Sequence, residues 1–409
     1  MLSRRLIVAG VVAAVLLPSL SASASHTPPN PAGETLRALA QRHGLYVGTA
    51  VNMDALQDPA ESRYRELAST EFNTVTAENV MKWEALQKEK NGPYDFTEAD
   101  KLIDFARKNR QKVRGHVLVW HNQVPEWLGK GVKDGSISKT ELRAILERHV
   151  KTVVSHFRGK IWQWDVVNEA VTDPWDSPPS GITYRPTPAA GAGDNQVFWA
   201  DHLGPGYIAD AFRWARSADP QALLFYNDYN LEAFGDEGPM DKVQFVYNMT
   251  KNLRAQGVPI DGVGSQGHLS TQYGNYSAFQ IRDALDKFAG LGVATAYTEV
   301  DVRSQRTPAV EAGDTKEINP RLQGSAFNYS ALLQGCLMSR KCLSFTVWGF
   351  TDRYQWTNDW EFGGEGRTGL AAIYDTNYNP KHAYQSMRAD LATAGAPYVQ
   401  PRIPQKPKR

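Results

Sequence analysis

Only two cysteines, Cys336 and Cys342, stand in the 409 residues. Two thiols cannot build a zinc site of four thiolates. An excess of charge of either sign is also missing: 45 Lys and Arg face 44 Asp and Glu, for a formal net charge of +1. Such a chain has no electrostatic footprint for nucleic acid or an anionic membrane, and neither partner is expected. The apolar run from Leu6 to Leu17 has twelve residues, short of the roughly twenty that a membrane span needs. A glycine fingerprint is lacking too. YVGTAV (46–51) runs into NMDALQDP, so nothing marks an open, dinucleotide-binding sheet. FGGEGR (362–367) is glycine-rich but opens no helix, and no Gly- or Ser-rich linker leads to a second module.

The short apolar run reads instead as an export signal. Arg4 and Arg5 precede it, Pro18 breaks it, and Ala22-Ser23-Ala24 offers small residues for cleavage. Residues 1–24 are therefore expected to be a secretory signal peptide and the mature protein to be extracellular. Losing Arg4 and Arg5 takes the formal charge from +1 to −1. An oxidising destination predicts a local Cys336–Cys342 disulfide. The basic, proline-rich ending (396–409) reads as a disordered tail.

What the chain has is a globular composition, 42% apolar and 22% charged, with eleven tryptophans and seventeen tyrosines that suit stacking on flat ligands, sugars included. Short apolar runs recur at 46–51, 72–77, 112–120, 161–167, 223–227, 262–266, 293–300 and 344–350. Helical spacing lies between them, near 59–70, 98–110, 139–157, 207–218, 241–256, 278–291, 326–338 and 381–393. Eight strand-then-helix units predict an α/β protein: one (β/α)8 TIM barrel forming a single catalytic domain over 25–395. The stretch 176–196 is poor in apolar residues and reads as a long loop after the fourth strand.

Barrels of this kind place their chemistry at the C-terminal strand ends. Those ends carry Glu78, Asn79 and Lys82, then His116, Trp120 and His121, then Asn168 and Glu169. Asn227 and Asp228, Gln266 and His268, Glu299 and Asp301, and Trp348 complete the rim. Glu169 and Glu299 matter most, because cutting a glycosidic bond through an oxocarbenium-like transition state needs one carboxyl to protonate the leaving oxygen and another to attack or stabilise the sugar. Trp162, Trp164 and Trp214 read as core. His116 and His121 are five apart, would face opposite ways on an alternating strand and imply no third ligand, so no metal site is expected.

The runs TAENVMKW (76–83), GHVLVWHNQVPEWL (115–128), WDVVNEA (164–170), YNDYN (226–230), GVGSQGHL (262–269), TEVDVR (298–303) and VWGFTD (347–352) resemble, in the same order, those of glycoside hydrolase family 10, the retaining endo-1,4-β-xylanases. The resemblance implies that Glu169 is the acid/base and Glu299 the nucleophile, acting on xylan and xylo-oligosaccharides without a cofactor. It further implies that Asn168 bonds the sugar 2-hydroxyl, that His268 and Asp301 form a chain orienting Glu299, and that Gln266 joins the same hydrogen-bond network. Glu78, Asn79, Lys82, His116 and Trp120 correspond to sugar contacts on the non-reducing side. Trp348 and Trp356 correspond to aromatic walls, and Asn227 to a contact on the leaving-group side. Val80 departs from an acidic residue common in the family, and the loop 176–196 is expected to reshape the leaving-group subsites. The mature enzyme is expected to act as a monomer.

Overall fold

The computed structural model describes residues 33–235, 241–273, 275–358, 360–362 and 365–395. The expected signal segment (1–24) and the tail (396–409) lie outside the described residues, as do residues 363–364 of the glycine-rich segment. Nine strands come first in chain order: β1 (Tyr46–Val51), β2 (Thr74–Ala77), β3 (Lys112–Gly115), β4 (Ile161–Asn168), β5 (Leu223–Asp228), β6 (Gly262–Ser265), the short β7 (His268–Ser270), β8 (Ala294–Gln305) and β9 (Cys342–Val347). All but β7 pair in parallel in sequence order, and β9 returns to β1, which closes an eight-stranded barrel. The small strands β10 (Glu361–Phe362) and β11 (Gly366–Gly369) add an antiparallel ribbon to the far end of β8.

The helices follow the expected stripes. Lys139–His156 opens where the Ser138 side chain accepts the Glu141 amide. Its Leu142, Ile145, Leu146, Val150, Val153 and Val154 are buried against the barrel, and each such side chain contributes about 1.5–3 kcal/mol. The helix expected at 326–338 begins much earlier, as Thr315–Met338, with the Asp314 side chain capping it and Pro320 inside. The polar run TKEINPRLQGS had hidden its first half. Cys336 and Cys342 are disulfide-bonded, tying the end of that helix to the start of β9. Among the described residues, no helix is long and apolar enough to cross a membrane.

Inside the barrel, Leu223, Phe225, Ala296 and Leu343 form an apolar floor of their own. Leu223, Phe225 and Asn227 occupy alternate positions of β5, so one inward row climbs from that floor to a polar rim. Trp164 and Trp214 are buried as expected, and Trp162 is half-buried against Tyr46, with ring centroids 4.8 Å apart. A Cβ at Gly115 would stand 2.2 Å from the Trp164 ring, which explains glycine at the end of β3.

One expected strand is cut short. The run 112–120 pairs as a strand only to Gly115; a cis peptide follows between His116 and Val117, and Val119 rejoins the sheet through a single bridge to Val167. The alternation argument for His116 and His121 therefore fails, because both lie beyond the strand.

Candidate active site

Three features of the backbone aim the side chains. A register shift in β4 between Asp165 and Val167 re-aims the strand end and sets Asn168 opposite Asn227. Glu169 then takes φ of 55°, a left-handed conformation that non-glycine residues adopt at some cost in strain, and its amide donates to the Asn227 carbonyl at 2.9 Å. On the opposite side, Gly267 with φ of 78° turns the chain from β6 into β7, whose pairing with β8 sets His268 against Asp301.

The two glutamates meet across a belt of amides. Asn227 Nδ2 donates to Glu299 Oε1 at 2.7 Å and to Asn168 Oδ1 at 2.8 Å. Gln266 Nε2 donates to Asn168 Oδ1 at 3.2 Å and to Glu169 Oε1 at 2.9 Å. Asn168 Nδ2 lies 3.1 Å from the same Glu169 oxygen, and Trp120 Nε1 donates to Glu169 Oε2 at 2.7 Å. Among the described residues, no cation pairs directly with the Glu169 carboxylate.

Glu299 sits differently. It is buried, with Arg114 Nη2 at 3.5 Å, His116 Nδ1 at 3.8 Å and His268 Nε2 at 3.4 Å from its oxygens. Burial alone would raise its pKa, but His116, His268 and Arg114 outweigh that and hold it down to about 2. For His268, burial lowers the pKa, whereas Asp301 and Glu299 raise it to about 10. The His268–Glu299 pair is thus charged on both sides between those values. His268 Nδ1 lies 3.0 Å from Asp301 Oδ2 but off the line of a good hydrogen bond; that oxygen accepts Trp356 Nε1 at 2.7 Å and Gln355 Nε2 at 3.1 Å. Replacing His268 with Asn removes one cation from Glu299, so the acidic limb of the kcat/KM profile should move to higher pH by about one unit. An unmoved limb would show that His268 does not act on Glu299.

Beneath Glu299 lies a pair that strand-end reasoning missed, Arg114 and Asp165. The guanidinium forks onto both oxygens of Asp165 and donates through Nη1 to the Thr298 carbonyl at 2.9 Å, and both side chains are essentially inaccessible. His116 Nδ1 contacts Asp165 Oδ2 at 2.8 Å. A sequence signal existed: each charge sits inside an apolar strand run, where an unpaired charge is costly. Converting Arg114 to Met should cost about 3–5 kcal/mol of stability, because Asp165 is left buried without its guanidinium. A denaturant titration showing a loss below 1 kcal/mol, given as an order of magnitude, would refute that role.

His116, Asp165 and Glu299 bring three ligand-type atoms within 4.8 Å of one another, a grouping that does not include His121. Arg114 already contacts both carboxylates there and supplies positive charge. His121 takes no part; it is packed 5.3 Å from the Phe198 ring, and burial lowers its pKa.

The remaining expected residues line the same rim. Lys82 Nζ donates to Asn79 Oδ1 at 2.9 Å and Gln123 Oε1 at 2.6 Å, and lies 5.1 Å from the Trp120 ring centroid. Burial lowers the pKa of Lys82, with Glu299, Glu78 and Glu169 opposing it. Burial raises that of Glu78, which Lys82 and an Asn52 hydrogen bond oppose. Trp348 is buried edge-on to His116, with ring centroids 5.1 Å apart, while Trp356 is half-buried 5.3 Å from His268. The long loop ends by docking on the segment after β3. Val124 and Val197 amides bond the Asn195 and His121 carbonyls, Gln196 Nε2 bonds Asn122 Oδ1 at 2.6 Å, and Trp199 Nε1 bonds the Trp120 carbonyl at 2.9 Å.

A closed parallel barrel whose rim joins one cation-flanked glutamate and one amide-flanked glutamate has the make-up of a glycoside hydrolase. Residues 35–390 match the profile of glycosyl hydrolase family 10. Endo-1,4-beta-xylanase B of Thermotoga neapolitana is 42% identical over 353 residues, 86% of this chain and 90% of that protein. Beta-1,4-xylanase of Dictyoglomus thermophilum is 38% identical over 327 residues, 78% of this chain and 82% of that one. The crystal structure of xylanase 10B from Thermotoga petrophila RKU-1 in complex with xylobiose matches with a TM-score of 0.73 and 38% identity, over 87% of this chain and 97% of that chain. The chain belongs to glycosyl hydrolase family 10 and is a retaining glycoside hydrolase.

Proposed function

We propose that the protein is a secreted endo-1,4-β-xylanase that cleaves internal bonds of xylan by double displacement, with Glu299 as nucleophile and Glu169 as acid/base. The carrying observation is the asymmetry of the two carboxyl environments. Glu299, held ionised by surrounding cations, attacks the anomeric carbon, while Glu169, touched only by neutral donors, gives its proton to the departing oxygen. Once Glu299 is esterified and the leaving group has departed, Glu169 takes a proton from the water that attacks the glycosyl-enzyme in the second step. Asn168, fixed between Asn227 and Gln266, is placed to bond the 2-hydroxyl of the reacting sugar. Lys82, Glu78, Asn79 and His116 serve the non-reducing side, and Trp348 and Trp356 wall the reacting sugar. Xylan as substrate is supported by the names of the relatives and by the xylobiose complex of the Thermotoga petrophila enzyme. Export is supported by the leader pattern of residues 1–24, and the enzyme acts as a monomer.

The test is a time course on soluble xylan and on carboxymethyl cellulose with viscosity followed in parallel. A rapid fall in xylan viscosity with short xylo-oligosaccharides appearing is expected. Faster cleavage of the cellulose derivative would overturn the substrate while leaving the barrel and its glutamates in place.

A further inference from the structure

Strain such as that at Glu169 persists only where the surroundings hold it, and one residue, through its side chain and its backbone amide, holds three residues in a row. Arg185 Nε donates to the Glu169 carbonyl at 3.2 Å, the Arg185 backbone amide to the Ala170 carbonyl at 2.8 Å, and Nη2 to the Val171 carbonyl at 2.8 Å. Arg185 reaches these atoms because the long loop folds back on its own start, with Val171 bridging Tyr184 antiparallel and the Thr172 amide bonding the Thr183 carbonyl at 2.9 Å.

The guanidinium is itself anchored. Nη2 lies 3.3 Å from Asp173 Oδ2 and 2.9 Å from the Tyr229 hydroxyl, and the more exposed Asp176 stands 3.8 Å from Nη1. Asp173 is fully buried and also takes the Tyr229 hydroxyl, Asn230 Nδ2 at 3.0 Å and Lys242 Nζ at 3.0 Å. Lys242 pairs with Asp228 at 2.8 Å, Asp228 accepts the Tyr226 hydroxyl, and Tyr226 accepts the Ala170 amide at 3.2 Å. The hydrogen bonds thus form a ring from the chain after β4, through the loop and the Lys242 helix, to β5 and back.

Resting on the assignment of Glu169 as acid/base, we infer that Arg185 is a positioning residue for that group. Arg185 holds the main chain of Glu169 through its carbonyl, and the Asp173–Lys242–Asp228 chain holds Arg185. Lysine in its place keeps the charge but presents one nitrogen instead of a fork, so it cannot span the carbonyls of Glu169 and Val171 while also meeting Asp173 and Tyr229.

The test compares Arg185→Lys with wild type on two substrates, a xylo-oligosaccharide and 2,4-dinitrophenyl β-xylobioside, whose leaving group departs without a proton. A misplaced acid should lower kcat/KM on the oligosaccharide about 100-fold and on the aryl glycoside by less than about threefold. Equal losses on both, or no loss on either, would overturn the inference. If Arg185→Lys does not fold by circular dichroism, Tyr229→Phe, which removes one partner of the guanidinium, carries the test and should show the same contrast at smaller size; its absence is equally decisive. Glu169→Ala on the same pair separates the two levels. No contrast there removes the acid/base assignment and this inference with it, whereas contrast there but none in the Arg185 or Tyr229 variant removes this inference alone.

Discussion

Glu299→Ala is expected to lose hydrolysis by a factor on the order of 10⁶, the size seen when a hydrolase loses its nucleophile. The carboxylate supplies the covalent partner of the first step, and neither Asn227 nor His268, the groups nearest to it, can replace it. Alanine leaves room beneath the sugar, so added azide should enter and give a glycosyl azide of inverted configuration. Arg114 and His268, no longer neutralised by Glu299, favour an anion there. Activity within tenfold of wild type, on any order-of-magnitude reading, would remove Glu299 from the chemistry.

Glu169→Ala should behave differently. Cleavage of xylan should fall by roughly 10²–10⁴-fold, the usual contribution of a positioned general acid. With a dinitrophenyl leaving group the first step should be nearly unimpaired, so kcat/KM holds while kcat falls, because no base activates water against the glycosyl-enzyme. Azide should again restore turnover, this time with retained configuration, since it attacks the intermediate on Glu299 from the side that Glu169 vacated. Opposite stereochemistry from the two alanine variants would place the carboxylates on opposite faces of the sugar. The same outcome from both would contradict the division of roles.

Much of this was legible in the sequence because strand ends announce themselves. The apolar run LLFYN stops at a polar residue, and β5 delivers Asn227 from that stop, whereas Glu299 lies inside β8, which runs on to Gln305, past the expected end at 300. The barrel followed from counting such runs. Supporting charges were harder to see, since Arg114 and Asp165 lie within strands and become partners only when β3 and β4 align. Arg185 was hidden for another reason: it sits in a loop poor in apolar residues, where no periodicity operates, and its three carbonyl partners are backbone atoms that carry no sequence signal. Strand β3 was overextended because HVLVW is apolar enough for a strand, although its backbone leaves the ladder at Gly115.

The most direct measurement is trapping the covalent intermediate. A 2-deoxy-2-fluoro-β-xylobioside with a dinitrophenyl leaving group slows both steps by destabilising the oxocarbenium-like transition state, but its reactive leaving group lets the first proceed. Mass spectrometry of the digested protein should then find one fluoroxylobiosyl group on the peptide that carries Glu299. A label on another carboxylate, or stoichiometric release of dinitrophenol with none retained, would contradict the account.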